Sequence, residues 1–362
     1  MATIGSMPVA RRSARPEPGV AIHRAVRLWL IGLAGIVFAM VIVGGATRLT
    51  NSGLSITEWK PIVGIVPPLG DSDWQEAFAR YKEIPQYKLL NRGMSLEAFK
   101  TIFWWEWGHR FLGRLIGIAF VVPFVYFLAK GMLPAALRIR LLAIFALGGL
   151  QGAIGWYMVK SGLVDRTDVS QYRLALHLFV AVIIFAALLW LADPLQQRRA
   201  TATVVQHSDS THRLFAGIII AMLLAQIVLG AFVAGMKAGI AHNTWPLMDA
   251  HLLPSGLLAM SPWWINAFEN ALTVQFNHRL MAYLVAIVVT WHAVQIMRDT
   301  RHAHLRTTAI LVLAATLGQI GLGIWTLLAA VPIALGIAHQ AGALILLGIA
   351  VLHARAATAP NR

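Results

Sequence analysis

Apolar residues run through this chain in blocks of roughly the length needed to cross a bilayer, about 20 residues for a helix. Polar connections divide them. The blocks near Trp29–Thr47, Trp107–Leu128, Leu141–Val159, Leu174–Leu191, Leu214–Ala234, Leu280–Met297, Thr308–Ala329 and Leu335–His353 predict eight membrane-spanning helices. The second and sixth reach outward into polar motifs. The expected fold is therefore all-α and polytopic.

Lys and Arg set the expected orientation, because cytoplasmic connections are enriched in both. One set of connections holds Arg11, Arg12, Arg15, Arg24 and Arg27, then Lys130, Arg138 and Arg140, then Arg198, Arg199 and Arg213, then Arg298, Arg301 and Arg306, and finally Arg355 and Arg362. The alternate set is poorer or balanced by acids. Both termini are expected in the cytoplasm, with the large loops near 48–103 and 235–275 outside.

A repeat divides the chain. "VGGATRLTNSGLSITEW" at the end of the first segment aligns with "LGAFVAGMKAGIAHNTW" at the end of the fifth, so that Gly44, Gly53 and Trp59 match Gly230, Gly239 and Trp245. "EWGHR" and "QFNHR" open the second and sixth segments, "QGAIGW" and "QIGLGIW" mark the third and seventh, and "LALHLF" and "GIAHQA" begin the fourth and eighth. Two pseudo-symmetric four-helix bundles follow, inserted the same way up as parallel repeats. The expected division is a disordered cytoplasmic tail at 1–25, an N-terminal half at 26–195, a cytoplasmic linker at 196–212, a C-terminal half at 213–355 and a tail at 356–362.

Composition narrows the chemistry. Hydrophobic residues make up 58% of the 362 residues and charged residues 12%, against about 25% charged in ordinary globular chains. The net charge of +15 fits the positive-inside pattern and anionic lipid rather than nucleic acid, for which no basic recognition motif is present. Cysteine is absent, which excludes disulfides, thiolate ligands and iron–sulfur clusters.

Of 13 histidines, His23, His207, His212, His302, His304 and His353 fall at cytoplasmic ends or loops, where solvation or headgroup contact is the expected state. His242 and His251 belong to the second outer loop, and His292 sits deep in the sixth segment. His109, His177, His278 and His339 differ. Each begins an even-numbered segment, which places all four at one depth near the outer face, two per half. Ionisable groups within a span are costly and mark function. Two facing imidazoles per bundle suit bis-His ligation of haem iron; copper, zinc, or hydrogen bonding between helices are the other readings. Arg110 and Arg279 follow two of these histidines and suit either haem propionates or lipid headgroups. Glu106, three residues before His109, has Gln275 as its repeat partner, so a proton-handling role would belong to one half only.

"EWGHR", "NHR" at Asn277–Arg279, the lone histidines of the fourth and eighth segments, "GGATRLTNSGLS" and the Trp59–Pro61 "W-x-P" together resemble the haem A synthase family, in its cysteine-lacking branch found in proteobacteria and mitochondria. The resemblance spans nearly all of the chain after about residue 25. It implies an enzyme that oxidises a ring methyl of haem O to a formyl group, making haem A for cytochrome oxidase. It implies haem b in the C-terminal half on His278 and His339, with Arg279 and Arg110 as cofactor contacts. Haem O would be the substrate near His109 and His177, with Glu106 functional. Implied partners are the lipid bilayer, an electron donor, haem O synthase, cytochrome oxidase assembly factors and a second copy of the chain. The Arg-rich tail favours a bacterial inner membrane over a mitochondrial one. The main rival is a bis-His haem b electron carrier, which ordinarily stacks two histidines per helix across the bilayer; a transporter with parallel repeats is a third reading.

Overall fold

The computed structural model describes residues 23–60, 63–165, 167–192 and 210–358. The N-terminal tail, the segment at 193–209, Pro61, Arg166, Arg198, Arg199, His207 and Arg362 lie outside them.

Eight long helices among these residues are apolar enough to cross a membrane. They are α1 (Arg24–Leu49), α2 (Leu96–Ala129), α3 (Ala135–Asp165), α4 (Gln171–Ala192), α5 (Ser210–Gly235), α6 (Ala271–Arg298), α7 (Arg306–Leu328) and α8 (Ile333–Ala357). Most extend past the spans read from hydropathy, because a helix continues as long as its backbone groups find partners, beyond the apolar slab. Helix α2 is the clearest case. The Ser95 hydroxyl accepts the Ala98 N–H and starts the helix three turns before its apolar stretch. At α6 the Asn270 side chain accepts the N–H groups of Leu272 and Thr273. Both caps satisfy orphan donors at a helix start. Between α7 and α8, Ala330 and Val331 both take positive φ, a tight reversal that brings the next helix straight back.

The packing order is closed in each set of four. Helix α1 packs on α2 and α4, and α3 on α4, with a lighter α2–α3 contact; α5 packs on α6 and α8, and α7 on both α6 and α8. The two sets meet through α4–α5, α1–α8 and α4–α8. One apolar core runs through all eight helices, including Leu30, Phe120, Ile144, Phe185, Ile219, Val285, Val312 and Leu347. Inside a bilayer such contacts are held mainly by van der Waals packing and small residues.

At the end opposite the start of α1 and the close of α8, residues 50–60 and 63–95 form a cap. Trp74, Phe78 and Tyr81 of the helix Asp71–Tyr81 pack with Phe99 and Phe103 of α2 around Leu54, and Tyr87 of the helix Pro85–Leu89 lies against them. Phe78 stacks on Phe99 at 5.0 Å. Beyond the apolar slab the hydrophobic effect acts in full, about 2–3 kcal/mol for each large side chain buried, so this core fastens the loop to the outer extension of α2.

Candidate functional site: four histidines and their glycines

Each of the four histidines leans on a glycine of the preceding helix. A methyl added at Gly44 (α1) would lie 2.9 Å from His109 Cε1, one at Gly155 (α3) 3.1 Å from His177, one at Gly230 (α5) 3.1 Å from His278, and one at Gly323 (α7) 2.8 Å from His339. A side chain at any of these positions would displace the imidazole. Gly44 and Gly230 already match in the sequence repeat; only the structure pairs each of the four with one ring.

Four residues before each glycine, one turn away on the same helix face, stands a second contact. In α3, α5 and α7 it is a glutamine. Gln226 Nε2 donates to the His278 carbonyl at 3.1 Å and lies 3.2 Å from its Nδ1. Gln319 Nε2 donates to the His339 carbonyl at 2.7 Å and lies 3.1 Å from its Nδ1. Gln151 Nε2 donates only to the His177 carbonyl, at 2.9 Å. In α1 the place belongs to Met40, which offers no amide.

The two pairs thus differ. His278 and His339 each have Nδ1 beside a glutamine amide, whereas Nδ1 of His109 and of His177 is buried without a partner. The ring centroids of His109 and His177 lie 6.5 Å apart. Since imidazole nitrogens bind a transition metal at about 2 Å, this separation admits one metal ion between them. The spacing Gln-x-x-x-Gly was the signal available in the sequence for these glutamines, visible once the repeat is set in phase.

Glu106 is 2% exposed and both its oxygens are engaged. Oε2 accepts from Ser55 Oγ and the Ile56 N–H, both at 2.8 Å; Oε1 accepts from Arg110 Nη2 at 2.6 Å and Nε at 3.1 Å. Arg110 also donates to the carbonyls of Ile56 (2.8 Å) and Glu58 (2.9 Å). Its fork is therefore committed to Glu106 and the cap. The equivalent Arg279 donates to the His242 carbonyl at 3.1 Å, but its Nε and Nη1 are buried without partners. The offset that relates Gly44 to Gly230 also relates Ile56 to His242 and Ser55 to Ala241. The carboxylate and the hydroxyl that holds it are both missing from the second half: Glu106 becomes Gln275 and Ser55 becomes Ala241.

Of the outer-loop histidines, His242 Nδ1 lies 2.8 Å from Asp249 Oδ2, and His251 Nδ1 lies 2.8 Å from the Asp249 carbonyl. Trp245 Nε1 donates to the Tyr283 hydroxyl of α6 at 3.2 Å, so this loop lies against the helix that carries His278. The expectation of solvated histidines at the other end is corrected for three residues. His212, His302 and His353 are 6%, 4% and 1% exposed. They are drawn inward because the start of α5, the end of α6 and the end of α8 close around them.

Residues 27–351 match the family described as cytochrome oxidase assembly protein. The chain belongs to that family. The matched span opens in α1 and closes in α8, so it contains all four glycine–histidine pairs. Among family relatives, a protein of Parvibaculum lavamentivorans called heme A synthase is 53% identical over 91% of this chain and 94% of its own length. Heme A synthases of Azorhizobium caulinodans (51% identical, 98% and 97% covered) and Sinorhizobium fredii (52%, 92% and 90%) are similarly near.

Proposed function

We propose that this chain is a haem A synthase, a membrane oxidoreductase that converts haem O to haem A by oxidising a ring methyl to a formyl group. The observation that carries the reading is the glycine–histidine device repeated four times in a family whose relatives bear that name. A donor set of imidazoles alone, in apolar helices with no cysteine, suits haem iron. The buried Nδ1 atoms of His109 and His177, and the unpartnered nitrogens of Arg279, are polar groups that an iron-bearing, anionic macrocycle would satisfy.

The two halves divide the work. His278 and His339, each steadied by a glutamine, would hold a resident haem b, with Arg279 beside a propionate. The glutamine amides, bonded to the carbonyls of His278 and His339, fix the backbone from which each imidazole projects. His109 and His177, with rings less constrained, would receive the exchangeable substrate haem O. Haem iron supplies the oxidising chemistry when bound. Glu106, held by Ser55, Ile56 and Arg110 within the substrate half, would accept or return a proton at its carboxylate. Arg110 positions Glu106 rather than a propionate. An unidentified donor supplies electrons, and a bacterial inner membrane is the setting that suits the relatives' origins.

The test is haem extraction and a pyridine haemochrome spectrum of purified protein, for the parent, His278→Ala and His109→Ala. Haem b lost from His278→Ala but kept by His109→Ala, with traces of haem O or A in the parent, supports the assignment. Haem b held equally by both halves with no haem O or A points to an electron carrier, and absence of haem overturns both.

A further inference from the structure

At the end of the bundle where α1 starts and α8 closes, far from the haem-type histidines, a second group of imidazoles is buried. His292 Nε2 and His353 Nε2 lie 2.9 Å apart, and His353 Nδ1 lies 2.8 Å from Thr308 Oγ1. The His212 ring sits 5.6 Å from that of His292 and 4.8 Å from that of His302. Asp299, which ends α6, brings Oδ2 to 3.0 Å from His302 Nδ1 and 3.8 Å from His212 Nε2. One ligand atom from each of His212, Asp299 and His302 lies within 4.8 Å of the others. Beside them opens a cavity of about 550 Å³ lined in part by Phe215, Trp291, His292 and Arg298. His292, 2% exposed, keeps its Nδ1 buried without a partner at this cavity.

We propose that His212, Asp299 and His302 bind a divalent transition cation of the Zn2+ type. Two imidazoles and one carboxylate are a nitrogen-rich set, which suits zinc or ferrous iron and disfavours calcium and magnesium. Three protein ligands beside a cavity leave a coordination position open, unlike a closed four-ligand structural site. The ion ties the start of α5, the end of α6 and the turn Thr300–Leu305 that leads into α7. Arg301 also holds Asp299, with Nη2 on Oδ2 at 2.8 Å and Nε and the backbone N–H on Oδ1 at 3.0 Å; its side chain is 76% exposed, so a cation at Oδ2 would compete with one solvent-screened guanidinium while Oδ1 stays held. None of these ligands belongs to the haem reading.

The full chain, purified in detergent with its haem and a histidine-free tag, is stripped by a chelator and titrated with Zn2+ against a chromophoric competitor. One tight equivalent is expected in the parent. In Asp299→Asn and His212→Gln the affinity should fall by about 30-fold or more, as loss of a metal ligand does, while His251→Gln in the outer loop binds as the parent. The haem absorption band, unchanged throughout, reports that each variant is folded. Co2+ gives a check that needs no variant: ligand-field bands of a four- or five-coordinate site support the proposal, and an octahedral, water-like spectrum overturns it. Absence of a stoichiometric ion in the parent, or parental affinity in both variants, also overturns it.

Discussion

The smallest unit with chemical meaning in this protein is a trio of side chains, Ser55, Glu106 and Arg110. A buried carboxylate is tolerated only when donors surround it, and here four N–H or O–H donors reach its two oxygens. Removing one donor leaves the charge short of a partner, at a cost of about 1–3 kcal/mol. Ser55→Ala copies the second half, where Ala241 stands. It should lower conversion of haem O several-fold while haem b content is unchanged; equal loss of both would mean a general structural defect. The glutamines make a complementary expectation. Gln226→Leu with Gln319→Leu removes the amides bonded to the backbone carbonyls of His278 and His339, and haem b retention should weaken by about 10-fold, read by the rate of transfer to apomyoglobin.

At the level of elements, the cap of residues 50–60 and 63–95 depends on charge as well as on its aromatic core. Glu58 pairs with Lys60 at 2.8 Å and with Arg80 on the helix Asp71–Tyr81. The Lys60 ammonium, and then Arg80, hold the Glu58 carboxyl below the usual carboxylate range. A depressed acid contributes stability that is present above its ordinary pKa, near 4, and lost as pH falls through the lower folded value. The group is largely solvent-exposed, so the contribution is under about 1 kcal/mol. Hydrogen-exchange protection in this loop, taken relative to the intrinsic rate at each pH, should fall modestly below about pH 4 in the parent, with a smaller change in Glu58→Gln.

The eight spans and the special status of four histidines were legible in the sequence. Sustained apolar blocks leave little alternative to helices, and a charged group inside one stands out. The cap was not, because its helices are short and their partners lie on α2. Nor was the buried cluster of His212, His302 and His353, since each residue reads locally as the polar end of a span. Their burial arises only where α5, α6 and α8 converge. Ser55 shows an intermediate case: its motif was quoted for the resemblance, yet its bond to Glu106 bridges 51 positions that no local pattern connects.

For the molecule as a whole, the seam between the two sets of four helices is built from close approach. Gln340 Nε2 of α8 donates to the Val41 carbonyl of α1 at 2.8 Å, and a Cβ on Gly45 would lie 2.1 Å from Gln340 Oε1. A Cβ added on Gly348 of α8 would lie 3.3 Å from Leu189 and 3.7 Å from Phe185 of α4. In the proposed reading, electrons exchanged between the two haems would cross this seam. Gly45→Leu should therefore separate the halves slightly, keeping haem b while product formation falls steeply; Gln340→Leu, which removes one hydrogen bond and little bulk, should have the milder effect. Turnover with a chemical reductant, set beside haem content, distinguishes these outcomes from simple misfolding.

The four glycines against the imidazoles carry a consequence at the level of the gene. Every missense change at Gly44, Gly155, Gly230 or Gly323 adds at least one carbon 2.8–3.1 Å from the ring, so each such change moves an imidazole, most at Gly44 and Gly323. In a saturation library selected for respiration through a haem A-dependent oxidase, these four positions should be depleted of all missense alleles, alanine included. Gly32 and Gly35 on α1, where an added methyl would meet nothing within 4 Å, should drift freely.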